Sequence, residues 1–172
     1  MSRLGLGYPE VSRRNPRIIY ASAFGYGQTG PYAAKPAYDD LIQAALGAPV
    51  LQAREGDPPR FMATNIVDRA CGMALASAVG MALFHRERTG EGQAIEIPMF
   101  ETMAQFVLGD HMSGRSFEPP VGPPGYSRLL SPDRRPYRTS DGFVCALVYN
   151  DKQWAAFFQA IGQHDEADRD PR

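Results

Sequence analysis

Asp68-Arg-Ala-Cys-Gly-Met-Ala-Leu-Ala-Ser-Ala-Val-Gly-Met-Ala-Leu-Phe-His-Arg86 is the stretch on which the fold turns. From Ala70 to Phe84 it is almost wholly small or apolar, about 15 residues and short of the roughly 18–20 that span a bilayer. Charge brackets it at Asp68-Arg69 and His85-Arg86, so the pattern predicts a helix buried in a soluble core, over about residues 65–88. Gly72, Ala76 and Gly80 recur at i, i+4 and i+8, and one small-residue face predicts close approach of another backbone.

Working outward, Thr89-Gly-Glu-Gly92 stops that helix, and Gln93-Ala-Ile-Glu-Ile97 alternates as a strand does. A further helix is predicted over about Pro98 to Met112, with Pro98 allowed in its first turn. Upstream, Arg17-Ile-Ile-Tyr-Ala-Ser-Ala-Phe24 follows Asn15-Pro16 and reads as a buried strand. Gly25 to Pro36 breaks it. Tyr38 to Leu46 then has helical spacing, with Leu41, Ile42, Ala45 and Leu46 on one side and Gly47 at the C-terminal cap. Arg54-Glu-Gly-Asp-Pro-Pro-Arg60 reads as a loop. This element order predicts an α/β layer structure.

After Gly114 the character changes. Ser116 to Pro136 carries six prolines and predicts an extended, semi-rigid connector. Asp141-Gly142 reads as a turn before a strand over Phe143 to Tyr149. A helix from Asp151 to about Ile161 is then expected to bury Trp154, Phe157, Phe158 and Ile161. The tail His164 to Arg172 is polar. A lone strand–helix pair cannot bury two faces by itself, so the chain is expected to borrow surfaces or to be a piece of a longer protein.

The 172 residues are 44% hydrophobic and 22% charged, close to the globular average, which excludes wholesale disorder. Eighteen basic against nineteen acidic residues leave no excess to draw a nucleic-acid backbone. Cys71 and Cys145 are the only cysteines, which excludes a disulfide scaffold and points to a reducing compartment. Met-Ser-Arg-Leu-Gly at the start lacks the apolar run of a signal peptide. The expectation is a cytoplasmic protein with neither membrane nor nucleic acid as partner.

Gly25-Tyr-Gly27-Gln-Thr-Gly30 fits the dinucleotide fingerprint and follows a strand. That fingerprint needs a helix to open at once, and Pro31 and Pro36 prevent it. A glycine loop admitting backbone N–H groups to some ligand and a plain structural turn both remain open. His85, His111 and His164 are far apart and neither cysteine has ligand spacing, so no metal is expected. Asp68 stands in the first turn of the apolar helix, where the helix dipole favours a carboxylate and burial would raise its nucleophilicity. Equally, Asn65 and Asp68 are spaced to cap the helix reciprocally. Tyr38-Asp39-Asp40 has the same ambiguity.

Three ordered blocks carry a family resemblance: Asn15 to Tyr32 with Tyr38-Asp and Gln43-Ala-Ala-Leu-Gly47; His85-Arg-Glu-Arg-Thr-Gly-Glu-Gly-Gln93; and Arg135-Pro-Tyr-Arg-Thr-Ser-Asp-Gly142 with Trp154. Together they resemble the class III CoA-transferases, a family with formyl-CoA and carnitine CoA-transferases and, as a relative, alpha-methylacyl-CoA racemase. The resemblance implies residues 1–114 as part of a Rossmann-like large domain, 115–139 as a connector and 140–172 as the start of a small α/β domain. It implies transfer of CoA from an acyl-CoA to a small carboxylic acid, with no permanently bound cofactor.

On that resemblance Asp68 is the nucleophile, passing through a mixed anhydride and an aspartyl-CoA thioester. Tyr38, Asp39, Gly25 and Gly27 line the substrate, and Lys35 falls near a position that contacts CoA. The racemases usually have histidine where Tyr38 stands, and a phenol titrating near 10 cannot easily replace it, so transfer outranks racemisation. A non-catalytic truncated member is the other alternative. Family members are about twice as long and form interlocked homodimers. Their flexible glycine loop would fall near Gly122-Pro-Pro-Gly125, which proline makes stiffer here.

Overall fold

A computed structural model describes residues 1–53 and 56–163, so the expectations for Arg54, Glu55, His164 and the rest of the tail lie outside the described residues. The chain divides into two compact units, Met1–Leu130 and Ser131–Arg172.

In the first unit, α1 (Tyr8–Arg14) precedes β1 (Ile19–Phe24). Three helices follow: α2 (Asp39–Ala45), α3 (Ala48–Gln52) and α4 (Ile66–Thr89). Then come β2 (Gln93–Pro98), α5 (Met99–His111) and the short α6 (Ser127–Leu130). Strands β1 and β2 pair in parallel, from Ile19 opposite Gln93 to Phe24 opposite Pro98. Parallel strands need a long crossover, here α2 to α4. The mixed α/β class with a parallel sheet follows the sequence pattern; α1 and α3 had no strong signal in it.

Glycines set the ends. Gly47 at φ +73 separates α2 from α3, and Gly90 at φ +81 terminates α4 while donating its N–H to the Arg86 carbonyl at 2.8 Å. Gly92 admits the Ile18 backbone where a Cβ would collide, and its N–H meets the Pro16 carbonyl at 2.8 Å. That contact starts the two strands in register.

The core lies between α2, the first turns of α4 and α5, and joins Tyr26, Ile42, Val67, Cys71 and Met103. The expectation of a buried α4 is not met. Of its 24 residues only Val67, Cys71 and Ala82 are buried, while Met73, Met81 and Phe84 are exposed. The Gly72–Ala76–Gly80 face meets nothing within 4 Å of either glycine. A two-stranded sheet offers too little surface to cover a helix that is apolar all round. The extent of the helix, Ile66–Thr89, matches the expected 65–88, and by length and hydropathy it could cross a membrane. Core helices of soluble proteins pass the same test, so these two properties do not discriminate.

The proline-rich run is not extended throughout. It folds back on the end of α5, where His111 accepts the Gly125 N–H through its carbonyl at 2.8 Å and the Tyr126 N–H through Nδ1 at 3.3 Å.

The second unit has a minimal antiparallel hairpin, β3 (Tyr137–Arg138) with β4 (Phe143–Val144), closed at Thr139, Asp141 and Gly142. The strand is shorter than the expected Phe143–Tyr149. Helix α7 (Asp151–Ala160) follows, capped by Asn150 rather than Asp151: the Asn150 side chain accepts the Gln153 N–H at 3.0 Å. Trp154, Phe157 and Phe158 contact one another, but none is buried and Ile161 is exposed. Two-residue strands supply no face to bury them.

Candidate active site

Helix α4 begins at Ile66 because Asn65 lies outside helical geometry, with φ −74 and ψ 67. The Asn65 side chain caps nothing, so the expected reciprocal cap between Asn65 and Asp68 is absent. The Asp68 N–H is instead held by a residue from another helix. Asp39, the first residue of α2 and 8% exposed, accepts it through Oδ2 at 3.0 Å. Its Oδ1 accepts from Gln43 Nε2 at 2.6 Å.

Gln43, 1% exposed, accepts the Met62 N–H through Oε1 at 3.0 Å. Met62, Gln43, Asp39 and Asp68 thus form one chain of hydrogen bonds that fastens the loop before α4, α2 and the α4 N-terminus together. A buried carboxylate persists in such a place because it accepts two hydrogen bonds beside a helix N-terminus.

The consequence for Asp68 is direct. Its carboxylate has no hydrogen bond or ion pair among the described residues, and the residue is exposed. The expected burial of this side chain is therefore not found. Its neighbour Cys71 is buried, and burial first, then the charges of Asp68 and Asp39, push its thiol above the ordinary value.

The glycine-rich loop after β1 is also fastened by side chains distant in sequence. Gly27 N–H donates to Glu101 Oε1 at 2.8 Å, and Gln28 N–H donates to Glu96 Oε1 at 3.1 Å. The Gly25 carbonyl accepts the Phe100 N–H at 3.0 Å. Gly25 is needed for packing, because a Cβ there would overlap the Ala37 methyl; one at Gly27 would lie 2.7 Å from Glu101 Oε1, the end of a flexible side chain. Between them Tyr26 enters the core with Val67 and Cys71, which seats the loop beside the α4 N-terminus.

Tyr38, just before α2, is 73% exposed. The Lys35 ammonium lies 3.6 Å from the centroid of the Tyr32 ring, a cation–π contact it would have to leave to meet a phosphate. Thus Asp39 and Asp68 are joined directly, Tyr38 adjoins Asp39 in sequence, and the loop of Gly25 and Gly27 is tied to α5. The roles of Asp39, Glu96 and Glu101 as fasteners carry no local sequence signal. Among the described residues no cluster of three His, Cys, Asp or Glu side chains is arranged to hold a metal.

The sequence profile of CoA-transferase family III matches residues 1–172. The chain belongs to that family. Among curated relatives, this family III chain is 42% identical over 110 residues to acetyl-CoA:oxalate CoA-transferase of Acetobacter aceti, covering 62% of this chain and 28% of that one. It is 33% identical over 162 residues to an acyl-CoA transferase of Fusarium pseudograminearum, covering 94% of this chain and 36% of that one. A crystal structure of a CAIB/BAIF family protein from Brucella suis superposes with a TM-score of 0.75 at 28% identity, over 99% of this chain and 45% of that one. The family III chain therefore spans less than half the length of these relatives.

Proposed function

We propose that this chain carries the nucleophile of a class III CoA-transferase that moves CoA between an acyl-CoA and a small carboxylic acid, with Asp68 as that nucleophile. One observation supports the reading above others. The task of capping α4 falls to Asp39, which leaves the Asp68 carboxylate unpartnered in the first turn of the helix. A carboxylate there sits in the positive end of the helix field without a structural duty. The names of relatives that act on acyl-CoA and on oxalate support the substrate class.

In the proposed cycle an Asp68 oxygen attacks the thioester carbonyl, and the C–S bond breaks to release CoA thiolate and form a mixed anhydride. The thiolate attacks the aspartyl carbonyl, expelling the donor's carboxylate and leaving an aspartyl-CoA thioester. An acceptor carboxylate attacks that thioester, releasing CoA thiolate and forming a second anhydride. The thiolate then attacks the acceptor's acyl carbon, and Asp68 leaves as a carboxylate.

Within this reading Tyr38, Gly25 and Gly27 line the substrate, Lys35 meets a CoA phosphate, and Asp39 both lines the site and fixes the first turn of α4. Residues 1–114 belong to the large domain, 115–139 to a connector and 140–172 to a small domain, in a cytoplasmic homodimer that keeps no permanent cofactor. Incubation with acetyl-CoA followed by hydroxylamine tests the reading: a hydroxamate at Asp68, absent from Asp68→Asn, supports it, and a chain that binds acetyl-CoA without labelling Asp68 refutes it.

A further inference from the structure

Glycine loops after a strand commonly offer backbone N–H groups to a bound anion. Here two consecutive donors of the loop, at Gly27 and Gln28, point instead at carboxylates of the protein. Glu96 lies on β2, itself a member of the parallel strand pair, and Glu101 lies in the first turn of α5, the helix that follows β2 directly. The missing Cβ at Gly27 gives the Glu101 carboxylate its space, and the Phe100 N–H ties the Gly25 carbonyl to the same turn of α5. Charge-assisted bonds from N–H to carboxylate are stronger than neutral ones.

We propose that Glu101 is a positioning residue that, with Glu96, fixes the Gly25–Gly30 loop as a rigid lining of the CoA site rather than an anion cradle. For its effect on CoA the proposal rests on the reading of Asp68 and its neighbours as a CoA-transferase site. The loop's shape, on this account, is set before any ligand arrives. A lining already in place spares the bound CoA the ordering of a free loop.

The test compares Glu101→Ala, which removes the acceptor, with Glu101→Gln, which keeps an oxygen at the same reach, and Glu101→Asp, which keeps the charge but shortens the arm. Hydrogen exchange at the Gly27 amide and calorimetric titration with coenzyme A are read on each folded variant. The expected result is roughly tenfold faster Gly27 exchange and roughly tenfold weaker CoA binding for Ala and Asp, with most of both restored by Gln. Unchanged Gly27 exchange in Glu101→Ala overturns the clamp. A freed Gly27 amide with undiminished CoA affinity overturns the positioning role alone. Absence of CoA heat with the unsubstituted chain overturns the CoA reading and the positioning role with it, while Gly27 exchange still reports whether the clamp exists.

Discussion

Asp39 Oδ2 accepts the backbone N–H of Asp68 at 3.0 Å, across 29 residues of sequence and between two helices. This bond separates two duties that one local sequence motif could have combined. The carboxylate that caps α4 is buried, and the carboxylate inside the first turn of α4 is unpartnered. It also makes the placement of Asp68 depend on α2, since Asp39 is itself held by Gln43.

Removing the cap should therefore loosen the fold as well as the site. Asp39→Ala orphans the Asp68 N–H and the Gln43 amide, and we expect a loss of about 3 kcal/mol in urea unfolding. A loss within about 0.5 kcal/mol, the range of ordinary surface changes, would show that the network does not carry the α2–α4 junction.

Gly25→Ala places a methyl on the Ala37 methyl, an overpacking expected to destabilise by about 1–3 kcal/mol. Ala37→Gly in the same chain opens that space. The double variant should then recover part of the loss, a coupling that thermal unfolding of the four chains measures. Additive losses would place the cause elsewhere.

Cys71 gives a pH signature. Its native thiol titrates above the ordinary 9.0, from burial and then from the charges of Asp68 and Asp39, so the unfolded thiol ionises first as pH rises. The resulting stabilisation is complete below about pH 9 and is lost as pH climbs through the raised native value. Denaturant midpoints between pH 7 and 10 should fall less steeply in Cys71→Ser. At neutral pH a thiol reagent should modify the exposed Cys145 well before Cys71.

The exposed side of α4 and the α2 residue packed in the core beside its first turns should respond differently. Phe84→Glu, on the exposed side, is expected to change stability by under about 0.5 kcal/mol, whereas Ile42→Ala in the core beneath the first turns should lose about 2–5 kcal/mol. A large loss at Phe84 would mean that its side is covered in solution.

The elements that proved legible in the sequence are those with a strong local pattern: β1 and β2 from β-branched or alternating runs, α2, α4 and α5 from helical spacing, and α7 from its aromatic stripe. Helix α3 was hidden by its proline, Pro49, which is tolerated in the first turn. The burial of α4 was misjudged because composition states what a helix would bury, whereas the available neighbours decide what it does bury. At the site, Asp68 was marked by its first-turn position, which left a cap and a nucleophile both open, and was assigned as nucleophile by the family resemblance. The side chains that hold its surroundings, Asp39, Glu96 and Glu101, act over separations of 29, 68 and 74 residues, and no spacing rule reaches that far.

In the proposed cycle the free carboxylate of Asp68 becomes covalently bonded to CoA during turnover. Mass spectrometry of the chain after incubation with acetyl-CoA tests it most directly. The prediction is a CoA thioester on the peptide containing Asp68, lost on hydroxylamine treatment and never formed in Asp68→Asn. Binding of acetyl-CoA with no such adduct, or an adduct that survives Asp68→Asn, would contradict the claim.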